Sequence, residues 1–130
     1  MTARAFLATI FGLFLAIPLF AATAHRKHAD LNDPSGATVL CYHIVESPHD
    51  PRMEISREAF AQQMDYLEMT GYTVIPLRDL YGFVMGTKQS LPKRSVVVTI
   101  DDGWRSTYTE VFPEMKKRHF PFTVFIYPKI

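Results

Sequence analysis

Residues 95–103 read Ser-Val-Val-Val-Thr-Ile-Asp-Asp-Gly, an apolar run that ends in two carboxylates and a glycine. The β-branched side chains predict a strand over residues 95–100, and the nearly continuous apolar pattern predicts that this strand is buried. In parallel α/β folds, the carboxyl ends of the strands open onto the active-site face. We therefore expect Asp101 and Asp102 to lie at the functional edge of a sheet.

Strand-like runs alternate with helically spaced apolar residues on both sides of this segment. The predicted elements are, in chain order, a strand at 37–42, a helix from Ser56 to Gly71, a strand at 72–75, a helix at 77–85, the strand at 95–100, a helix at 106–118 that Pro113 breaks or kinks, and a strand at 122–126. In the first helix, Ser56 is the predicted N-cap, and Phe60, Met64 and Leu67 form one apolar stripe. This alternation predicts a parallel sheet covered by helices. Four strands are too few for a closed barrel. We expect an α/β fold, a partial (β/α) barrel with parallel strands that is incomplete at the C-terminus.

The N-terminus has the three-part layout of a signal peptide, with one basic residue, a charge-free apolar run and the small-residue site Ala22-Thr23-Ala24. We expect a signal-peptide helix over residues 1–24, a flexible leader over residues 25–36 and a folded domain over residues 37–130. The mature protein is then secreted or periplasmic, with no stable membrane span. The alternative is an uncleaved anchor, because the apolar run is about as long as a bilayer-spanning helix needs.

Composition argues against three other classes of protein. The chain has 14 Lys and Arg against 13 Asp and Glu, a net charge of +1. That balance argues against a nucleic-acid partner, since domains that neutralise phosphates are clearly basic. The single cysteine, Cys41, excludes an internal disulfide framework and a four-cysteine zinc module. We expect Cys41 to be a thiol of the core.

The acidic pair is the sharpest chemical feature. Adjacent carboxylates repel each other unless a positive charge lies nearby. A divalent metal bound to one of them would let the other act as a general base on a bound water. The alternative is a turn with a helix cap, for which Asp-Asp-Gly is common.

Two further residues are candidates. His43 follows the first predicted strand, so in a parallel sheet it emerges at the same mouth as Asp101, as a metal ligand, a general acid or a structural side chain bonded to a loop carbonyl. Trp104 either stacks on a sugar ring or covers the barrel mouth by packing.

Several segments, in order, resemble one known family. Residues 96–103 are similar to the first motif of the polysaccharide deacetylases, carbohydrate esterase family 4, with isoleucine where that motif usually has phenylalanine. Residues 40–45, Leu-Cys-Tyr-His-Ile-Val, resemble the N-terminal Tyr-His strand of the branch that contains exopolysaccharide poly-N-acetylglucosamine deacetylases. Residues 60–80 and 112–126 resemble the units that follow. The likeness covers nearly all of residues 37–130.

The resemblance implies a function and roles for these residues. The reaction is metal-dependent hydrolysis of N-acetyl groups on a GlcNAc-containing polysaccharide, with zinc as the expected metal. Asp101 is implied as the catalytic base, Asp102 as a metal ligand and His43 as the acid that protonates the leaving amine. Trp104 is our candidate for substrate binding.

The chain departs from the family at its metal ligands. The family takes its other two ligands from a His-x-x-x-His pair, and the 130 residues contain no such pair. Because a catalytic zinc usually needs three protein ligands, we expect this chain to be an incomplete, inactive portion of a deacetylase. The alternative is a non-catalytic, secreted carbohydrate-binding remnant that uses Trp104.

Overall fold

The structure, a computed structural model, describes residues 36–46, 50 and 52–128. The predicted signal peptide and nearly all of the predicted leader lie outside these residues. The elements, in chain order, are β1 (Thr38–Tyr42), β2 (Ile44–Val45), β3 (Glu54–Ile55), α1 (Arg57–Met69), β4 (Thr73–Val74), α2 (Leu77–Val84), β5 (Ser95–Ile100), a π-helical turn (Thr107–Val111), α3 (Phe112–Lys117) and β6 (Thr123–Val124).

Strand β5 is the centre of the main sheet, and all six of its residues are buried. Strands β1, β4 and β6 each pair with it in parallel. Val96 pairs with residues of both β1 and β4, and Ile100 with residues of both β1 and β6. Therefore β1 occupies one edge of β5, while β4 and β6 share the other. The predicted α/β class with parallel strands is confirmed.

A second, two-stranded parallel sheet joins β2 to β3 and was not predicted. Its strands are two residues long, so they carry too little pattern for a prediction from sequence. It holds the loop after β1 against the start of α1, since the Glu46 amide donates to the carbonyl of Ile55 at 3.0 Å.

The two faces of β5 are packed differently. Val96, Val98 and Ile100 belong to the larger core cluster, which includes residues of α1 and α3, whereas Val97 packs with Ile75 and Leu91. Because alternate side chains of a strand point to opposite faces, Thr99 and Asp101 share the face of Val97. On that face, apolar side chains pack against the first half of β5, and polar side chains lie at its carboxyl end.

Helix α1 begins and ends where the sequence predicts. The Ser56 hydroxyl accepts a hydrogen bond from the Ala59 amide at 3.1 Å, which caps the helix. Gly71 follows the helix with φ of +74°, a conformation that glycine adopts without strain. The predicted apolar stripe of Phe60, Met64 and Leu67 is buried.

The predicted helix over residues 106–118 is interrupted, as Pro113 suggested, but the interruption takes the form of a wider turn. The Phe112 amide donates to the carbonyl of Thr107, five residues back. Proline has no amide proton, and its ring crowds the carbonyl four residues earlier. The chain accommodates Pro113 by widening the preceding turn and starting α3 afresh. None of the helices in the described part of the chain is long and apolar enough to span a membrane.

Arg118 connects the two helices that cover one face of the sheet. Its side chain is 4% exposed and forms ion pairs with Asp65 and Glu68 of α1 and with Glu114 of α3. A buried cation needs such partners, because an unpaired charge in the interior is costly. Arg118 therefore fixes α3 against α1.

Two methionines of α1 provide a test of this packing. The Met64 side chain is fully buried, whereas Met69 is 85% exposed. We expect Met64→Ala to lower the free energy of unfolding by about 2–5 kcal/mol, because it leaves a cavity in the core. Met69→Ala, the matched control, should change it by less than about 0.5 kcal/mol. Urea unfolding followed by circular dichroism measures both, and equal losses in the two variants would contradict the packing described.

Candidate active site

The candidate site lies where β1 and β5 end side by side. Tyr42 pairs with Ile100, and the Asp101 amide donates to the Tyr42 carbonyl at 2.8 Å. In this register the next residue of each chain emerges at the same edge, and His43 Nε2 lies 3.9 Å from Asp101 Oδ2. Their side chains are 29% and 33% exposed, so both remain open to solvent. The predicted juxtaposition of His43 and Asp101 is therefore observed, while their roles stay predictions.

Cys41 is a third member of this group. Its thiol donates to Asp101 Oδ2 at 3.4 Å. Since Cys41 is two residues before His43 on an extended segment, both side chains lie on the same face. One donor atom each from Cys41, His43 and Asp101 lies within 4.8 Å of the others.

The prediction that Cys41 is a core thiol is wrong, because its residue is exposed. Cys41 lies on the face of the sheet where the apolar cluster packs around Val97 and does not include Cys41. Partial burial is the main factor that raises the pKa of the Cys41 thiol; a hydrogen bond with Thr99 lowers this pKa, and the Asp101 carboxylate raises it further. The two-residue spacing from His43 was the signal in the sequence that could have identified it.

Tyr42 points to the opposite face, into the helix layer. Its ring packs edge-on against Phe60, with 5.1 Å between centroids, and its hydroxyl donates to Gln63 Oε1 at 2.6 Å. Burial raises the pKa of Tyr42 to about 12. Tyr42 therefore anchors the end of β1 to α1 and leaves the adjacent His43 on the site face.

The two neighbouring aspartates diverge. Asp102 and Gly103 both have φ of +69°, so the chain turns sharply directly after Asp101. The exposed Asp102 carboxylate accepts a hydrogen bond from the indole nitrogen of Trp104 at 3.3 Å. Asp101 thus faces His43 and Cys41, while Asp102 is held within the turn.

The described residues do not by themselves form a metal site around Asp102. In the part of the chain that the structure describes, the donor group that could hold a cation is Cys41, His43 and Asp101, and Asp102 is not a member of it. Asp102 offers one carboxylate, whereas a catalytic zinc usually has three protein ligands.

Trp104 lies in a cavity different from the one beside His43. It is 51% exposed and, with Tyr108, Phe112 and Ile126, lines an apolar cavity of about 370 Å³. His43 and Cys41 line a smaller cavity of about 130 Å³. The structure brings His43 and Asp101 together, while Trp104 lines a separate cavity.

The raised pKa of the partly buried Tyr42 predicts a dependence of stability on pH. A pKa raised from 10.0 to about 12 means that the folded state holds this proton more tightly than the unfolded state. The protonated Tyr42 hydroxyl therefore makes its full contribution to the free energy of unfolding below about pH 10, and this contribution is lost as the pH rises toward about 12. We expect the free energy of unfolding of the wild type to fall more steeply over this range than that of Tyr42→Phe. Urea unfolding at a series of pH values measures the difference.

The matched control is Tyr81→Phe, which alters an exposed ring and should keep the wild-type dependence of the free energy of unfolding on pH. The same pH dependence in Tyr42→Phe and Tyr81→Phe would contradict the raised pKa of Tyr42.

Comparisons with known proteins agree on one family. Residues 88–129, which include both aspartates, match the sequence profile of the family described as polysaccharide deacetylase. The poly-beta-1,6-N-acetyl-D-glucosamine N-deacetylase of Escherichia coli K12 is 33% identical over 89 residues, which make up 67% of this chain and 13% of that protein. The solved structure of IcaB from Ammonifex degensii is 42% identical, with a TM-score of 0.62, over 70% of this chain and 38% of that one. A de-N-acetylase from Aggregatibacter actinomycetemcomitans is 26% identical, with a TM-score of 0.59, over 68% of this chain and 36% of that one.

The chain therefore spans about an eighth of the length of the Escherichia coli relative and little more than a third of these two solved chains. The matched region contains β5, the acidic pair and the elements that follow. Residues 88–129 therefore carry a polysaccharide deacetylase segment, and the chain is homologous to the deacetylases named above.

Proposed function

We propose that the protein takes part in hydrolysing N-acetyl groups on a GlcNAc-containing polysaccharide. The observation that carries the proposal is the 3.9 Å approach of His43 and Asp101 at the carboxyl ends of two paired strands. The relative from Escherichia coli is named for this reaction on poly-beta-1,6-N-acetyl-D-glucosamine. The same family likeness supports the partial (β/α) barrel expected from the sequence.

Amide hydrolysis needs two proton transfers, and the pair offers a group for each. Asp101 accepts the proton of the attacking water as the new C–O bond forms at the acetyl carbon. Protonated His43 donates to the amide nitrogen as the C–N bond breaks, so that acetate and a free sugar amine leave. Proton transfer by positioned groups contributes about 10²–10⁴-fold to such reactions. Partial exposure of both side chains leaves room for the substrate.

Metal dependence is part of the proposal and rests on the family resemblance. Asp102 is the residue proposed to contribute a ligand, and a divalent ion such as zinc would supply polarisation of the acetyl carbonyl. The Asp102 carboxylate accepts a hydrogen bond from Trp104, whereas the Asp101 carboxylate lies beside His43. The two acids of the motif therefore have separate positions for separate roles.

The proposed location is outside the cytoplasm, either secreted or in the periplasm. It rests on the signal-peptide pattern of residues 1–24, where a charge-free apolar run ends in a small-residue site. A polysaccharide of the cell envelope or matrix would be accessible to the protein there.

Substitution of the pair tests the proposal. The assay measures acetate release from N-acetylglucosamine oligomers, with added zinc or cobalt, by the natural gene product that contains residues 37–128. We expect Asp101→Asn and His43→Asn each to lower kcat by about 10²–10⁴-fold. Asp79→Asn and His119→Asn make the same chemical changes at residues away from the site and should retain the wild-type rate. Full activity in Asp101→Asn would show that the base is wrongly assigned.

A carbohydrate-binding role without catalysis is the second candidate, and the half-exposed Trp104 favours it. Flat aromatic rings offer an apolar face with a polar edge, and such a face suits a sugar ring. We expect Trp104→Ala to raise KM for the oligomer several-fold with little change in kcat. Retention of the oligomer by the gene product, measured by calorimetry, together with no acetate release under any metal, would favour this second function instead. Unchanged KM in Trp104→Ala would remove Trp104 from the substrate site.

A further inference from the structure

Three chemically different donors meet at the end of β1 and β5. Cys41 offers a sulfur, His43 a ring nitrogen and Asp101 a carboxylate oxygen, all within 4.8 Å of one another. Sulfur, imidazole nitrogen and carboxylate oxygen are the three ligand types that zinc accepts in proteins. The group differs from the position of Asp102, which the deacetylase reaction is proposed to use.

The spacing of these donors is close to that of a metal site. Tetrahedral zinc with bonds of about 2.0–2.3 Å places its ligands about 3.3–3.8 Å apart. In this structure Cys41 Sγ lies 3.4 Å and His43 Nε2 lies 3.9 Å from the same oxygen of Asp101. The expected separation is about 3.5 Å for the sulfur–oxygen pair and about 3.3–3.4 Å for the nitrogen–oxygen pair. The first pair therefore already has the distance of a metal site, and the second needs a shortening of about half an ångström.

The backbone keeps the group in this arrangement. Cys41 and His43 alternate with Tyr42, whose partly buried ring packs against Phe60 and whose hydroxyl donates to Gln63. Asp101 is tied to the same strand by its amide. A side-chain set fixed by strand register loses little conformational freedom on binding an ion.

The surroundings allow a cation to enter. Cys41 is exposed, and with His43 it lines a cavity of about 130 Å³. The nearest cation on that wall, Arg52, has its guanidinium bound to Asp50 at 2.8 Å. Glu54 adds negative charge to the same wall.

We propose that Cys41, His43 and Asp101 form a binding site for a thiophilic divalent ion such as Zn²⁺, separate from the metal position at Asp102. Binding replaces the S–H bond of Cys41 by a sulfur–metal bond and releases that proton to the solvent, while His43 binds through Nε2 in its neutral form. No oxidation or reduction is involved. An ion bound here would occupy His43 and Asp101, the two groups that hydrolysis is proposed to need, and would therefore inhibit deacetylation. This consequence alone rests on the proposed function.

Cobalt titration of the 130-residue chain tests the site. Cobalt(II) takes the place of zinc, and its bond to a thiolate gives a charge-transfer absorption in the near ultraviolet. Because Cys41 is the single cysteine of the chain, this absorption reports on this site alone. Under reducing conditions we expect it to saturate at one ion per chain and to disappear when Zn²⁺ is added.

Single substitutions test whether Cys41, His43 and Asp101 bind the same ion. Removal of one ligand should weaken binding by about tenfold or more. We expect this loss of cobalt affinity in His43→Asn and Asp101→Asn, and the same loss of zinc affinity, measured against a chromogenic chelator, in Cys41→Ser. His119→Asn changes an exposed histidine outside the group and should bind as the wild type does. Circular dichroism establishes that each variant is folded.

The outcomes separate this proposal from the proposed function. Absence of a saturable absorption, or unchanged cobalt affinity in both His43→Asn and Asp101→Asn, would overturn the metal site and leave the acetate-release assay unaffected. Saturable binding with the expected losses would support the site even if no acetate were released by any form of the protein.

Discussion

The parallel pairing of β1 with β5 is the constraint on which the candidate site depends. Five successive residue pairs set the register, and the amide of Asp101 extends the ladder by bonding to the Tyr42 carbonyl. A shift of one residue would turn every side chain of β1 to the other face. His43 would then enter the helix layer and Tyr42 the site. Packing of the Tyr42 ring against Phe60 makes that shift costly. Contacts in the helix layer on one face therefore hold Cys41 and His43 on the other face.

The strand alternation also explains why stability and chemistry occupy different residues of the same strands. Val96, Val98 and Ile100 fill the core with α1 and α3, while Thr99 and Asp101 lie on the opposite face. Arg118 holds those two helices together through three carboxylates. Substitutions on the site face can therefore change binding or rate with less effect on packing than substitutions on the helix face.

The sequence predicted those features that local patterns determine. The buried run of β5, the Ser56 cap and the apolar stripe of α1 follow from side-chain spacing and capping chemistry, and they are confirmed. The meeting of His43 and Asp101 could also be predicted, because parallel strands end at a common edge. The exposure of Cys41 could not, since an apolar run does not tell which face of a strand is covered.

The features that escaped prediction depend on backbone geometry. The widened turn before Pro113 and the left-handed conformation of Asp102 arise from local sterics that residue spacing does not encode. That conformation separates two aspartates that appear equivalent in the sequence. The roles of the site residues and the closure of a barrel remain predictions.

The position of β1 has a consequence for the lifetime of the site. Within the described residues, β1 pairs along one edge, whereas β5 is flanked on both. Paired strands open locally at free energies below that of global unfolding, and hydrogen exchange reports such openings. Separation of β1 from β5 would carry His43 and Cys41 away from Asp101. The site therefore exists only while these two strands stay paired, and a ligand bound to side chains of both strands would oppose their separation.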